Sequence, residues 1–173
     1  MDLAQRAASI ELLILDVDGV LTDGRLLYGE SGEQLKSFHV RDGSGIKLWQ
    51  NSGKMVAIIS GRNAKGVIVR AAELAIDIVK QGQHPKDAAY REVLELAGVS
   101  PQQVCVVGDD LMDLPLMRAC GLSVAVADAV PEVREIATYT TTVAGGHGAV
   151  RESIEWLMKL TGSWEPAIAR YLV

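Results

Sequence analysis

Four short runs of apolar residues recur along the chain, at 12–15, 55–59, 104–107 and 122–126. They are rich in β-branched residues and apolar almost throughout, the pattern of parallel strands buried on both faces. Between and after them, the stretches 45–51, 63–72, 85–97, 113–120, 131–137 and 149–160 read as helices. A further run at 75–79 predicts another strand. Strand alternating with helix predicts an α/β fold: a doubly wound, mostly parallel, Rossmann-like sheet with right-handed crossovers.

One segment breaks the alternation. Residues 24–40 read as a projecting β-hairpin with Glu30-Ser31-Gly32-Glu33 at its turn. A lone hairpin is marginally stable and leaves strand edges exposed. Pairing with the same hairpin of other subunits would relieve both, so an oligomer is expected, with packing on its own domain as the alternative. The tail, 162–173, carries an aromatic and aliphatic cluster that includes Trp164, Tyr171, Leu172 and Val173. Docking on its own domain and reaching a neighbour are both open to it.

Composition narrows the class. A chain of 173 residues, 49% hydrophobic, suits a single domain over 1–173 with a sizeable core. A net charge of −5 with 5% aromatic residues leaves no basic stripe and no stacking platform, which argues against nucleic acid as the main partner. No apolar run approaches the roughly 20 residues of a membrane span, and the first residues lack the positive-then-apolar order of a signal peptide. Cys105 and Cys120 lie in apolar contexts and read as buried thiols rather than a disulfide. The expected location is the cytoplasm.

Candidate chemistry concentrates where the strands end. The first run passes into Asp16-Val17-Asp18-Gly19, at the edge of an open α/β sheet where ligands bind. Two carboxylates packed together raise one another's pKa unless a cation separates them. The pair therefore asks for a hard divalent ion with oxygen ligands, and Mg²⁺ suits it; an ordinary Asp-Gly turn is the simpler alternative. The second run ends in Ser60-Gly61-Arg62. Ser60 can donate to a phosphoryl oxygen, Gly61 lets backbone approach a ligand, and Arg62 offers a planar fork to a carboxylate or phosphate. The N–H groups that follow are expected at a helix N-terminus, where anions are favoured.

Lys86 follows Pro85 at a helix start. A cation there opposes the helix dipole and makes sense where it neutralises an anion. The third run ends in Gly108-Asp109-Asp110-Leu111-Met112-Asp113. Asp109 can complete the metal site, Asp113 can hold a water ligand or orient Lys86, and Asp110 reads as a helix cap. Each of these groups alone is equally explained by a turn, a cap or a surface charge.

In order, Asp-x-Asp, Ser, Lys and Gly-Asp-Asp-x-x-Asp resemble the motif set of the haloacid dehalogenase superfamily, over Asp16 to Asp113. The resemblance implies a phosphatase in which Asp16 attacks phosphorus and forms an aspartyl-phosphate. Asp18 would protonate the leaving alkoxide and then activate water, while Ser60 and Lys86 stabilise the phosphoryl charge. It also implies Mg²⁺ held by the carboxylates of Asp16 and Asp109 and the backbone carbonyl of Asp18. The spacing between motifs leaves no room for a cap domain.

The hairpin, Phe38-His39-Val40-Arg41-Asp42-Gly43 and Ala144-Gly145-Gly146-His147-Gly148 narrow the resemblance. Together they are similar to the superfamily's capless phosphatases acting on 3-deoxy-D-manno-octulosonate 8-phosphate, which serve the inner sugar of lipopolysaccharide. That implies a phosphorylated sugar acid as substrate and a homotetramer whose neighbouring subunits close the site. Arg62, beside Gly61, would meet the sugar carboxylate, and the loop at 144–148 would lie where a neighbouring loop closes over substrate. That loop lacks the spacing of a nucleotide fingerprint, and no catalytic role is assigned to His147.

Two rivals share parts of this pattern. A phosphatase for a nine-carbon sugar-acid 9-phosphate would show the same four motifs. A phospho-accepting receiver-like domain uses similar groups, but with the acceptor on a middle strand and the lysine after the last one. An acid two residues beyond the nucleophile would also hasten loss of the phosphoryl group that such a domain must keep.

Overall fold

The computed structural model describes residues 2–172; Met1 and Val173, the last residue of the expected tail cluster, lie outside them. The chain opens on α1 (Leu3–Ala8), absent from the sequence reading, which Asp2 and Gln5 close with a reciprocal capping box. Strand β1 (Leu12–Leu15) then enters the core with all four side chains buried. The hairpin strands β2 (Leu27–Tyr28) and β3 (Gln34–Leu35) follow, then α2 (Val40–Asn51), β4 (Met55–Ile59), α3 (Lys65–Leu74) and β5 (Ile78–Lys80). After α4 (Asp87–Ala97) come β6 (Val104–Gly108), α5 (Leu114–Ala119), β7 (Leu122–Ala125), α6 (Pro131–Ile136) and β8 (Tyr139–Thr140). The chain closes with α7 (Ala149–Leu160) and α8 (Trp164–Ile168).

Six strands form one parallel sheet in the order β5-β4-β1-β6-β7-β8, and β2 and β3 pair separately as an antiparallel ribbon. From β1 the chain first builds outward through β4 to β5, then returns to the other side of β1 through β6. The strand order therefore reverses at β1, and the ends of β4, β1 and β6 face one crevice, the usual ligand position in such sheets. Helices α2, α3, α7 and α8 adjoin one another in one layer, with α1 against α7, while α4, α5 and α6 adjoin in the other.

Several expected boundaries move, each for a local reason. Helix α2 begins at Val40 rather than 45, because His39 Nδ1 accepts from the Arg41 N–H and caps the helix there; Gly43 and Gly45, poor helix formers, concealed its first turn. Helix α3 begins at Lys65 rather than 63, so the N–H groups directly after Ser60 belong to a turn and not to a helix N-terminus. Strand β5 occupies 78–80 rather than 75–79, because Ala75 takes a left-handed cap at φ 53 and Ile76 is still tied to Ala71 O at 2.9 Å.

The hairpin keeps only two residues in each strand, and Val40 at its expected end belongs to α2. The start of the tail docks on its own chain, with Trp164 buried and Arg151 and Lys159 over its ring at 5.0 and 5.5 Å, while Tyr171 and Leu172 stay exposed. Cys105 is buried and Cys120 half-buried, and both thiols are free. Among the described residues no helix is long and apolar enough to cross a membrane.

Candidate active site

The sheet places the acids. Leu15, the last residue of β1, lies between Ile58 of β4 and Val107 of β6 in register. Asp16 lies one residue beyond Leu15, and Ser60 and Asp109 lie two residues beyond Ile58 and Val107, so all three emerge at neighbouring strand ends. Beyond Asp16 the chain winds through a tight turn, Val17–Leu21, in which Gly19 adopts φ +91. A Cβ on Gly19 would lie 2.0 Å from Asp109 Oδ2. Only glycine combines that conformation with that clearance, so Gly19 lets the acid of β6 come up to the turn after β1.

Lys86 enters from the start of α4 and is 3% exposed. Its Nζ donates to Asp16 Oδ1 at 2.6 Å and to Asp113 Oδ1 at 2.7 Å. Asp113 Oδ2 accepts from the Asp109 N–H at 3.0 Å, so Asp113 ties Lys86 to the main chain after β6. Asp110 caps the short helical turn that follows, accepting from the Leu111 N–H at 2.7 Å. Carboxylate oxygens of Asp16, Asp109 and Asp113 lie within 4.8 Å of one another.

Burial pushes the Asp16 carboxyl up to about 7, helped by Asp113 and opposed by Lys86. Burial pushes Asp109 up to about 8, with Asp16, Asp113 and Asp110 adding repulsion. Burial alone would lower Lys86, but its two carboxylate partners outweigh that and raise it. Three acids against one lysine leave an excess of negative charge on hard oxygen donors, which fits a divalent cation. The Asp18 carboxylate stands apart from this cluster: Lys36 Nζ is ion-paired to its Oδ1, and Arg62 Nε lies 4.0 Å from its Oδ2. The main-chain carbonyl is thus what Asp18 could offer a metal.

Ser60 is buried, and its Oγ accepts from the Arg62 N–H at 3.3 Å. Arg62 itself is 54% exposed, free to meet an anion in the outer cleft. Asp16, Asp18, Ser60, Gly61, Arg62, Lys86, Asp109 and Asp113 all line one cleft of about 510 Å³. The expected site residues are therefore brought together. A haloacid dehalogenase-like hydrolase family model matches residues 67–152. The 3-deoxy-D-manno-octulosonate 8-phosphate phosphatase of Escherichia coli (strain K12) is 49% identical over 166 residues, 96% of this chain and 88% of that protein.

The chain belongs to the 3-deoxy-D-manno-octulosonate 8-phosphate phosphatase family. The Yersinia pestis phosphatase structure superposes with TM-score 0.91 at 49% identity, covering 94% of this chain and 88% of that one. The Moraxella catarrhalis family member, crystallised with magnesium ion, phosphate ion and a KDO molecule, superposes with TM-score 0.93 at 37% identity, covering 97% of each chain. The loop at 144–148 is fixed to its own chain. Gly145 N donates to Asp128 Oδ1 at 2.9 Å and Gly146 N to Val20 O at 3.0 Å. A Cβ on Gly145 would come within 1.7 Å of Gly19 O, so this loop buttresses the turn behind Asp16. His147 Nδ1 donates to Gly145 O, 2.8 Å away, and the residue lies outside those lining the cleft.

Four residues lining the cleft of this family member escaped the sequence reading, Gly24, Leu26, His84 and Met112, as did Lys36, which pairs with Asp18. His84 and Met112 adjoin Lys86 and Asp113, a proximity that could have flagged them; Leu26 and Lys36 carry no such mark.

The raised acids make stability depend on pH. For Asp16 and Asp109 the folded values exceed the ordinary 3.8. Their contribution is fully present below about pH 4 and is lost as pH rises through about 7 to 8. In EDTA, Tm should fall between pH 5.5 and 8.5. Excess Mg²⁺ should raise Tm more at the upper pH, because it binds the deprotonated acids. A Tm indifferent to Mg²⁺ at pH 8.5 would remove the acid cluster as a cation site.

Proposed function

We propose that this protein hydrolyses 3-deoxy-D-manno-octulosonate 8-phosphate to the free sugar acid and inorganic phosphate. The observation that carries the reading is Asp16, held 2.6 Å from Lys86 on the floor of a cleft whose other walls are Asp18, Ser60 and Arg62. Asp16 attacks phosphorus and forms an aspartyl-phosphate while the P–O bond to the sugar breaks. Asp18 gives its proton to the leaving alkoxide, then takes one from the water that attacks the aspartyl-phosphate. The water oxygen stays on phosphorus, the Asp16 carboxylate is regenerated, and Asp18 regains its proton. Ser60 Oγ, already an acceptor from the backbone, keeps its hydrogen for a phosphoryl oxygen, and Lys86 holds Asp16 in place. The carboxylates of Asp16 and Asp109 and the main-chain carbonyl of Asp18 would hold Mg²⁺, which would neutralise the charge gathered there.

Arg62 takes the sugar carboxylate. The test is phosphate release from a panel of sugar phosphates with Mg²⁺ and with EDTA. Release should be metal-dependent and greatest on the octulosonate 8-phosphate. Arg62→Ala should raise KM for sugar-acid phosphates about 10- to 100-fold, the worth of a charge-assisted contact, and leave a simple aryl phosphate unchanged. Equal losses on both would place Arg62 elsewhere, and greatest release from a nine-carbon 9-phosphate would keep the chemistry and change the substrate.

The cleft has no cap among the described residues, and Gly24 and Leu26 at the base of the hairpin form its outer rim. Leu26, Leu27, Tyr28 and Leu35 are exposed on a ribbon of two-residue strands, which is too short to stand alone. Pairing of hairpins from four copies would cover them and close the site, giving a homotetramer. Leu27→Glu with Leu35→Glu should lower the mass seen by sedimentation velocity; an unchanged mass would move the interface off the hairpin. With both thiols free, the reducing cytoplasm suits the chain, as does an intracellular sugar phosphate substrate.

A further inference from the structure

Lys36 follows strand β3 on the hairpin, and its side chain is only 1% exposed. Lysine is rarely buried to that degree without a partner, and its partner is the Oδ1 of Asp18. The stem runs over the first turn of α3, where a Cβ on Gly66 would sit 3.6 Å from Lys36 Cβ and 3.8 Å from its Cγ. The hairpin thus reaches across α3 into the cleft and ends on one carboxylate oxygen.

A lysine ammonium has three donors and no acceptor. The oxygen it occupies can only accept, so a proton carried by Asp18 must sit on the other oxygen, Oδ2. That oxygen lies on the side of Arg62, 4.0 Å from its Nε, where the outer cleft opens. We propose that Lys36 is a positioning residue that anchors Asp18 by Oδ1 and so presents Oδ2 to the leaving group. The inference rests on Asp18 acting as the general acid. It makes the geometry of the acid depend on how the hairpin is seated.

A purely structural ion pair would also bury this lysine, and kinetics separate the two. A leaving group that departs without a proton, as from p-nitrophenyl phosphate, gains nothing from a well-placed acid, whereas a sugar alkoxide gains about 10²- to 10⁴-fold. Lys36→Met should therefore lower kcat/KM for the sugar phosphate at least tenfold and for p-nitrophenyl phosphate less than threefold. Lys36→Arg, which keeps a cationic donor, should recover most of the loss. In an Asp18→Asn background, adding Lys36→Met should cost little more, the non-additivity expected of groups acting as a unit. Lys36→Gln provides the same comparison if the methionine variant does not fold.

Equal losses on both substrates, or losses that add to those of Asp18→Asn, would overturn the role of Lys36. If Asp18→Asn itself showed no preference for the aryl phosphate, the reading of Asp18 as the acid would fall first and Lys36 with it.

Discussion

Replacing Asp16 by asparagine should abolish phosphate release, by a factor of at least about 10⁴, while leaving the fold intact. The amide keeps the shape of the side chain but has no carboxylate to attack phosphorus, so no covalent intermediate can form. Loss of a nucleophile typically removes nearly all catalysis beyond what binding alone provides. The structure gives reason to expect that the variant folds. Asp16 is buried and its carboxyl is pushed up to about 7 chiefly by burial, so the neutral side chain relieves a cost. Lys86 also keeps its second partner, Asp113, at 2.7 Å. Phosphate release with Mg²⁺ and thermal melting, side by side, check both halves. Residual activity within tenfold of the parent would reassign the nucleophile. A parent protein that instead became stably phosphorylated without turnover would favour the phospho-accepting reading.

Replacing Lys86 by methionine should damage both stability and activity. Its ammonium is the group between Asp16 and Asp113, at 2.6 and 2.7 Å. Methionine fills much of the same volume but leaves those buried carboxylates facing each other. Removing one partner of a buried ion pair costs about 3–5 kcal/mol, because the remaining charge is stranded. In EDTA near pH 8 that loss should appear in full in denaturant unfolding. It should shrink below about pH 5, where the acids can take up protons, and Mg²⁺ should recover part of it. Activity should remain down by about 10²–10³ even with Mg²⁺, because one cation cannot both ligate the acids and occupy the place of the ammonium on Asp16. Recovery of full activity by Mg²⁺ alone would reduce Lys86 to a structural counter-ion.

How these groups meet was legible in the sequence only in part. The fold class was plain, because the strands β1, β4, β6 and β7 are nearly continuous apolar runs and a strand buried on both faces needs no partner to be identified. Three of the four motifs were legible for a related reason: polar residues that directly follow such runs must emerge at the sheet edge. Asp16, Ser60 and Asp109 each follow their strand by one residue, so their convergence followed from the strand pattern.

What the sequence could not decide lay where the chain is short, polar or dependent on distant partners. Two-residue strands such as β8 have no periodicity to read. The true start of α2 rested on a histidine cap, and that of β5 on an alanine in a conformation usually left to glycine. The loop at 144–148 carried no fingerprint of its own, yet Gly145 and Gly146 pack on the turn behind Asp16. Lys36 lies 18 residues from Asp18 with nothing around it to suggest a site. Sequence by itself determined which chemistry the strand ends carry, because burial of the strands fixes where their flanking side chains emerge. Tertiary structure alone decided which charges face one another, since a long side chain such as Lys36 chooses its partner only when α3 and the hairpin have closed around it.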